Sequence, residues 1–223
     1  IVAKALKFMF EHNMSKMTVG ACALNGYKEM IGKHSFKRWF PTPDYHDDVK
    51  QSYRGGFTYL EPQFAGKIIK EGITLDVNSL YPSVLRSHDC PMPFGSAVFF
   101  KGKYKPNKVY PLYTQMLSCQ FELKPNKIPT IQIKHSLFYK GNEYLRSSNG
   151  EEVTICLNSV DLELFFKQYN VTDITYHSGW MFKASVGMFD EYVDHWTEVK
   201  IKSGKEGNKG MRQIAKLMLN SLY

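Results

Sequence analysis

Apolar residues recur at helical spacing towards both ends of the chain and alternate with polar ones in short runs through its middle. Over residues 2–11 the pattern fits the end of an amphipathic helix. Ser15 stands where an N-cap would open a second helix running towards Ile31, with Gly20 and Gly26 as weak points inside it. Pro41, Pro43 and the acidic cluster after Tyr45 mark a loop. Residues 73–77 read as a short buried strand and 79–86 as a short helix. From Cys90 onwards, Pro91, Pro93, Pro106, Pro111, Pro125 and Pro129 separate segments rich in β-branched and aromatic residues, which predicts strands near 97–100, 117–123, 129–134 and 153–157. Residues 138–146 read as irregular or hairpin structure. Asn158 or Ser159 can cap a helix over 160–168, and a further strand fits 174–177. Helical spacing returns at 188–200, and a polar, Gly- and Lys-rich loop over 203–210 leads into a last helix at 211–223.

The pattern is that of an α+β protein, a helical shell interrupted by a mixed, β-rich insertion of about a hundred residues, close to ordinary domain size. Its 223 residues, 43% apolar and 14% aromatic, suffice for a sizeable core. No run of eighteen apolar residues occurs, so no transmembrane helix is expected. The start, Ile1-Val2-Ala3-Lys4, has neither an initiator Met nor a signal-peptide layout, and a piece of a longer protein is expected. The formal charge of +8 and a pI near 9.1 point to a polyanionic partner without identifying one; a solvated basic surface remains the alternative. The four cysteines form no Cys-x-x-Cys pair and read as reduced, mostly buried thiols of a cytosolic protein. His46-Asp47-Asp48, in a Pro- and Asp-rich stretch, reads as a solvated turn rather than a metal site.

The chemistry concentrates in Leu75-Asp76-Val77-Asn78-Ser79-Leu80-Tyr81-Pro82. A carboxylate at the end of a strand, followed by a turn that opens a helix, suits a site for a metal and a triphosphate. Mg²⁺ takes carboxylate, carbonyl, water and phosphate oxygens, which Asp76 and the carbonyl of Val77 can supply. The amides of Ser79, Leu80 and Tyr81 are placed to meet β- and γ-phosphates. Tyr81, stiffened by Pro82, could lie under an incoming sugar and exclude a 2′-hydroxyl. The plainer alternative is an Asp at a helix start with Tyr-Pro packed in a core. In the last helix Arg212, Lys216, Asn220 and Tyr223 fall at i, i+4, i+8 and i+11, on one face. Cations four apart repel, and a bound polyphosphate would offset that; an amphipathic helix with a solvated basic stripe is the alternative. Ile214, Leu217 and Met218 face elsewhere and can pack in a core. Tyr53-Arg54-Gly55-Gly56-Phe57 sets a glycine pair between aromatics, suited to close approach of a phosphate chain and to base stacking.

The segment from Asp76 to Pro82 resembles motif A of family-B DNA polymerases, Asp-x-x-Ser-Leu-Tyr-Pro. Lys216-Leu217-Met218-Leu219-Asn220-Ser221-Leu222-Tyr223 resembles motif B, Lys-x-x-x-Asn-Ser-x-Tyr, and Tyr53 to Gly56 resembles the Tyr-x-Gly-Gly motif. Residues 128–134, 138–145 and 160–164 narrow the resemblance to the protein-primed subgroup of phages and linear plasmids. The resemblance implies a partial palm with motif A over 1–87, a terminal-protein-binding insertion over 88–187, and helices ending in motif B over 188–223. It implies Asp76 as catalytic and, with Val77, as metal ligand. Val77, Ser79, Leu80, Tyr81, Arg212, Lys216 and Asn220 would meet the nucleotide, and Tyr53, Arg54, Gly55, Gly56, Phe57, Lys200 and Tyr223 the DNA. The partners implied are primer-template DNA, a deoxynucleoside triphosphate, terminal protein and the remainder of the polymerase chain, with no membrane, in the cytoplasm of a bacterium hosting a phage or prophage.

The family's second aspartate comes from a Tyr-x-Asp-Thr-Asp segment, which this sequence lacks. Asp173, Asp190 and Asp194 lie in other contexts. Mg²⁺ or Mn²⁺ is therefore expected only with the second Asp supplied, and the chain alone is expected to bind better than it catalyses. The alternatives are a non-catalytic docking module for terminal protein or primer-template DNA, and a generic basic nucleic-acid-binding domain.

Overall fold

The computed structural model describes residues 7, 9–11, 14–133, 137–141 and 143–222. In chain order its elements are α1 (Val19–Ile31), α2 (Lys33–Trp39), α3 (His46–Lys50), a 3₁₀ turn at Pro62–Phe64, α4 (Leu80–Arg86), β1 (Met92–Lys101), β2 (Leu112–Leu123), β3 (Val153–Asn158), α5 (Ser159–Gln168), β4 (Tyr169–Ser185), α6 (Asp190–Lys205) and α7 (Lys209–Asn220). The architecture is α+β, as expected. Two compact units divide it: residues 1–42, 74–94 and 185–223 form one, and residues 43–73 and 95–184 the other. The helix expected over 2–11 lies largely outside the described residues.

The first unit is helical. Helix α1, expected to start at Ser15, opens at Thr18 instead, because the Thr18 hydroxyl, on extended backbone, accepts from the Ala21 amide at 3.1 Å. The two glycines inside α1 face α7 and its C-terminal cap at ordinary packing distance: a Cβ at Gly20 would stand 3.4 Å from the Ser221 carbonyl, and one at Gly26 3.7 Å from Met218 Cε. An alanine would fit at either place. Cys22, Ala23 and Tyr27 of α1 share a core with Met14, Tyr192 and Met218. Both buried tyrosines use their hydroxyls, Tyr27 donating to the Met188 carbonyl (2.9 Å) and Tyr192 to the Met218 carbonyl (3.0 Å). The loop expected over 203–210 is shorter, since α6 continues to Lys205 with Ser203 buried. In α7 the buried set is Ala215, Met218 and Leu219; Leu217, expected in the core, is 36% exposed. Positions 215, 218 and 219 make a narrow i, i+3, i+4 stripe that leaves 217 to one side.

The second unit is built on a four-stranded sheet in the order β1-β4-β2-β3. β2 runs antiparallel to both neighbours, from Thr114↔Asn158 to Cys119↔Val153 on one side and from Leu112↔Phe182 to Leu123↔Tyr169 on the other. Flanked on both edges, it buries Leu117, Cys119 and Phe121 with Ile155 and Leu157 of β3 and Leu162 and Phe165 of α5. Asn158 caps α5 by accepting from the amides of Val160 and Asp161. β4 is far longer than the expected 174–177. It passes a bulge, where Asp173 at φ 51° and Ile174 oppose Cys119, and continues to Ser185. It also passes Gly179, where a Cβ would lie 1.9 Å from the Thr114 carbonyl oxygen and 2.5 Å from the Phe100 ring, so only glycine fits.

Three expectations need correction in physical terms. Of the strand expected over 129–134, the described part, 129–133, makes one bridge, Ile131↔Leu145. In its place the Tyr169 hydroxyl accepts from the Thr130 amide (2.8 Å) and donates to the Leu145 carbonyl (2.9 Å). The turn expected at His46-Asp47-Asp48 is helical, and Asp48 accepts from the Trp180 indole at 3.0 Å while Tyr45 stacks on that ring at 4.3 Å. The buried strand expected over 73–77 does not form: Ile73 and Leu75 are each 88% exposed and Val77 is 61% exposed. Among the described residues that segment has no neighbouring strand, and without a ladder nothing holds it extended or covers its apolar side chains.

Candidate functional site

Asp76, Val77 and Asn78 are exposed on irregular backbone leading into α4. Ser79 turns the chain, in the left-handed region at φ 53°, ψ 47°. A non-glycine residue is strained there by roughly 1–2 kcal/mol. Its carbonyl nevertheless accepts the first helical bond, from the Ser83 amide at 2.9 Å. Pro82 sits in the first turn, where an amide would have no intrahelical partner, and is buried. Leu80 and Tyr81 stay about half exposed (49% and 48%) on the opening turn.

Helix α6 holds α4 at both ends. At the start, Lys200 Nζ donates to Ser79 Oγ at 3.2 Å. At the other end, Arg86 Nε meets Asp194 Oδ1 at 2.9 Å, and its other arm meets Asp190 Oδ2 at 3.3 Å. His88 Nε2 joins the same Asp190 oxygen at 2.8 Å. The hydrogen bond to Asp194, then the charges of Asp190 and Asp194, hold the Arg86 guanidinium further into its protonated range. Asp190 and Asp194 are thus committed to fixing α4. Their i, i+4 spacing on one helix was the available signal, since like charges so placed repel and invite a cation.

Helix α4 also packs against α7, which Asn208 caps through Met211 N at 3.0 Å. Arg212, Lys216 and Asn220 are all exposed, as the i, i+4, i+8 spacing requires of one face. The stem of Arg212 lies over a helical glycine: a Cβ on Gly204 would be 3.5 Å from Arg212 Cδ. Tyr223 lies outside the described residues. This unit therefore gathers 76–81, Lys200, Arg212, Lys216 and Asn220 on three helices and one turn that touch one another.

Tyr53, Arg54, Gly55, Gly56 and Phe57 belong to the other unit. Arg54 is held by its own surroundings: Nη1 donates to the carbonyls of Gln51 (2.9 Å) and Tyr53 (3.3 Å), and Nη2 to that of Cys156 (3.0 Å). Burial raises the Asp161 carboxyl, while the Arg54 charge and the Asn158 amide oppose the shift. A Cβ at Gly55 or Gly56 would meet nothing within 4 Å, so no contact among the described residues requires glycine there. Tyr53 is 70% exposed; Phe57, 54% exposed, leans on Tyr144 at 4.8 Å between ring centres.

Asp76 and the Val77 carbonyl are hard oxygen donors of the kind Mg²⁺ or Mn²⁺ takes. Among the described residues, however, no group of three or more His, Cys, Asp or Glu could hold a metal ion. The donors fit by type and fall short in number. No helix among the described residues is long and apolar enough to cross a membrane.

A family model described as DNA polymerase type B, organellar and viral, matches residues 1–223. The chain is 47% identical over 225 residues to the DNA polymerase of Bacillus phage phi29, covering 100% of this chain and 38% of that protein. It is 31% identical over 234 residues to that of Streptococcus phage Cp-1, covering 40% of it. The solved structure of phi29 DNA polymerase complexed with primer-template DNA and incoming nucleotide substrates aligns with TM-score 0.91 at 46% identity, over 100% of this chain and 38% of that one. The same polymerase complexed with single-stranded DNA aligns with TM-score 0.90 at 44% identity, over 100% of this chain and 37% of that one. The chain thus spans well under half the length of the relatives it matches.

Proposed function

Because this chain belongs to the organellar and viral type B DNA polymerases, we propose that it serves in a DNA-directed DNA polymerase that adds deoxyribonucleotides by phosphoryl transfer in protein-primed replication. The observation that carries this reading is the mutual packing of α4, α6 and α7, which puts the helix behind Asp76 beside the helix that bears Arg212 and Lys216. Cations held beside a triphosphate neutralise it and need little reorganisation during reaction. Arg212 and Lys216 fill that role, Asn220 orients the nucleotide, and Tyr81 crowds a 2′-hydroxyl. The Lys200–Ser79 and Arg86–Asp194 contacts keep the turn at 76–81 in place.

Divalent metal chemistry is general to DNA polymerases, and Asp76 with the Val77 carbonyl would hold part of the metal set. No Tyr-x-Asp-Thr-Asp segment occurs in this sequence, so by itself the chain is expected to bind nucleotide and DNA without turnover. The structural relatives were solved with primer-template DNA, nucleotide or single-stranded DNA, which supports the same partners here. The open space over Gly55 and Gly56, flanked by exposed Tyr53 and Phe57, supports template contact. The phage relatives support work in the cytoplasm of a bacterial host.

Replacing Asp76 by Asn in the complete polymerase tests the reading by single-nucleotide addition; undiminished addition would overturn it. A second reading is a docking role for terminal protein over 88–187. It is favoured by the self-contained core that the sheet forms with α5. Titration of the whole chain with terminal protein tests it, and absence of heat or shift counts against it.

A further inference from the structure

Residues 101–111 read Lys-Gly-Lys-Tyr-Lys-Pro-Asn-Lys-Val-Tyr-Pro and join β1 to β2. Lys101, Lys103, Lys105 and Lys108 supply four positive charges with no acid between them, half of the chain's formal excess of eight. All four are exposed, and among the described residues none forms an ion pair. Left alone, such a run repels itself and stays loose.

The structure instead braces it. The buried Gln115 side chain accepts from Tyr104 N (2.9 Å), and its two amide hydrogens are shared among the carbonyls of Gly102 (3.1 Å), Met116 (3.1 Å) and Ser178 (3.0 Å). The Tyr104 hydroxyl donates to the Tyr110 carbonyl (2.7 Å) and accepts from Asn107 N (3.1 Å). Asn107 Oδ1 in turn accepts from the amides of Val109 and Tyr110 at 2.8 and 3.2 Å. The Tyr104 and Tyr113 rings stack at 3.7 Å and 12°. Lys103 lies over Tyr176 at 5.2 Å, and Lys183 of β4 brings a fifth cation over Tyr110 at 5.9 Å. Lys103, Tyr104, Tyr113 and Tyr176 line a cleft of about 510 Å³. Glu163, on the same cleft, is engaged by Lys167.

We infer that this braced, lysine-bearing loop is a docking surface for the phosphate backbone of DNA, an inference that rests on the DNA-polymerase reading above. Phosphates are the partner its chemistry favours. Lysine offers a compact point charge rather than a fork for one carboxylate, and dense cations gain most where counterions are released. A protein partner would be met by exposed aromatic or arginine anchors, with lysine scarce at the centre. Here Tyr104 and Tyr110 are half-buried, and the exposed residues are the four lysines, Pro106, Val109 and Pro111.

The test uses the complete polymerase with Lys101, Lys103, Lys105 and Lys108 all changed to Ser, and a fluorescein-labelled primer-template. Anisotropy titrations run between about 50 and 200 mM salt. Each lost phosphate contact removes about 0.7 to 0.9 from the slope of log K against log salt. The variant is expected to flatten that slope by roughly 3 and weaken binding about 10- to 100-fold near 0.1 M salt. Its melting point should hold, because none of the four ammonium groups takes part in the bracing hydrogen bonds. The matching Lys→Arg variant should keep the parent slope. A parent that extends primers while the Ser variant keeps the parent slope overturns the inference and leaves the polymerase reading standing. A flattened slope together with undiminished nucleotide addition by Asp76→Asn does the reverse. If the slope holds and only capture of an acidic protein changes, the surface is a protein contact and the inference falls.

Discussion

Two segments of this chain are near copies in pattern and opposites in structure. Residues 73–78 read Ile-Thr-Leu-Asp-Val-Asn and residues 153–158 read Val-Thr-Ile-Cys-Leu-Asn; each is followed by serine and a helix. The second is strand β3, paired residue for residue with β2, with Ile155 and Leu157 only 6% and 1% exposed. The first is irregular, with Ile73 and Leu75 each 88% exposed. Their helix starts differ as well. Asn158 caps from extended backbone with two side-chain bonds, whereas Ser79 turns through the left-handed region without any such bond. Pattern and propensity are nearly equal, so the difference lies in the neighbour. A strand exists where another strand takes its amides and a helix covers its face.

The largest test of this contrast is catalytic. In the complete polymerase Asp76→Asn is expected to lower the rate of nucleotide incorporation by at least about 10³-fold. Cys156→Ala, at the matching place in β3, should lower the melting point while leaving that rate alone. Stability comes next. Leu157→Ala should cost about 2–5 kcal/mol in urea melts of the 223-residue chain, and Leu75→Ala less than about 0.5 kcal/mol. Equal costs would break the comparison. A Leu75→Ala cost seen only in the complete polymerase would sharpen it, by showing that the remainder supplies the missing cover.

Thiol chemistry reads the same difference through pH. Burial pushes the Cys119 and Cys156 thiols up to about 11. A raised pKa means that the reactive thiolate is scarce below it, so alkylation of Cys156 in the folded chain should be at least about 100-fold slower than that of an ordinary thiol at pH 8. It should speed up only as pH approaches 11 or the chain unfolds. Asp76→Cys, on the exposed twin, should react as fast as exposed Cys90. The smallest effect concerns the caps. Asn158→Ala should cost about 1 kcal/mol, while Ser79→Gly should raise stability by roughly 1 kcal/mol through relief of the left-handed strain. Destabilisation by Ser79→Gly would mean that the Lys200 contact outweighs that strain.

Several features were legible without coordinates because they depend on neighbours in sequence. Helical spacing located α5, α6 and α7; the Asn158 cap was one of two candidates; and the 212, 216, 220 spacing foretold one exposed face. What stayed hidden depends on distant partners. Helix α3 is tied down by Trp180 of β4, far along the chain. Asp190 and Asp194 look like ordinary helix-surface acids until Arg86 arrives between them. Arg54 looks free to meet a phosphate, yet its guanidinium is held by backbone carbonyls of Gln51, Tyr53 and Cys156.

By itself, then, the sequence determined the α+β class, the family through its short motifs, the basic face of the last helix and most helix positions, since periodicity and motif spacing are local properties of the chain. Only the tertiary structure decided which of two nearly identical segments becomes a strand, which aspartates serve as anchors for α4, and that a lysine-rich loop is braced instead of loose. Those outcomes turn on hydrogen bonds and burial supplied by residues remote in sequence, and no local pattern encodes whether such a partner is present.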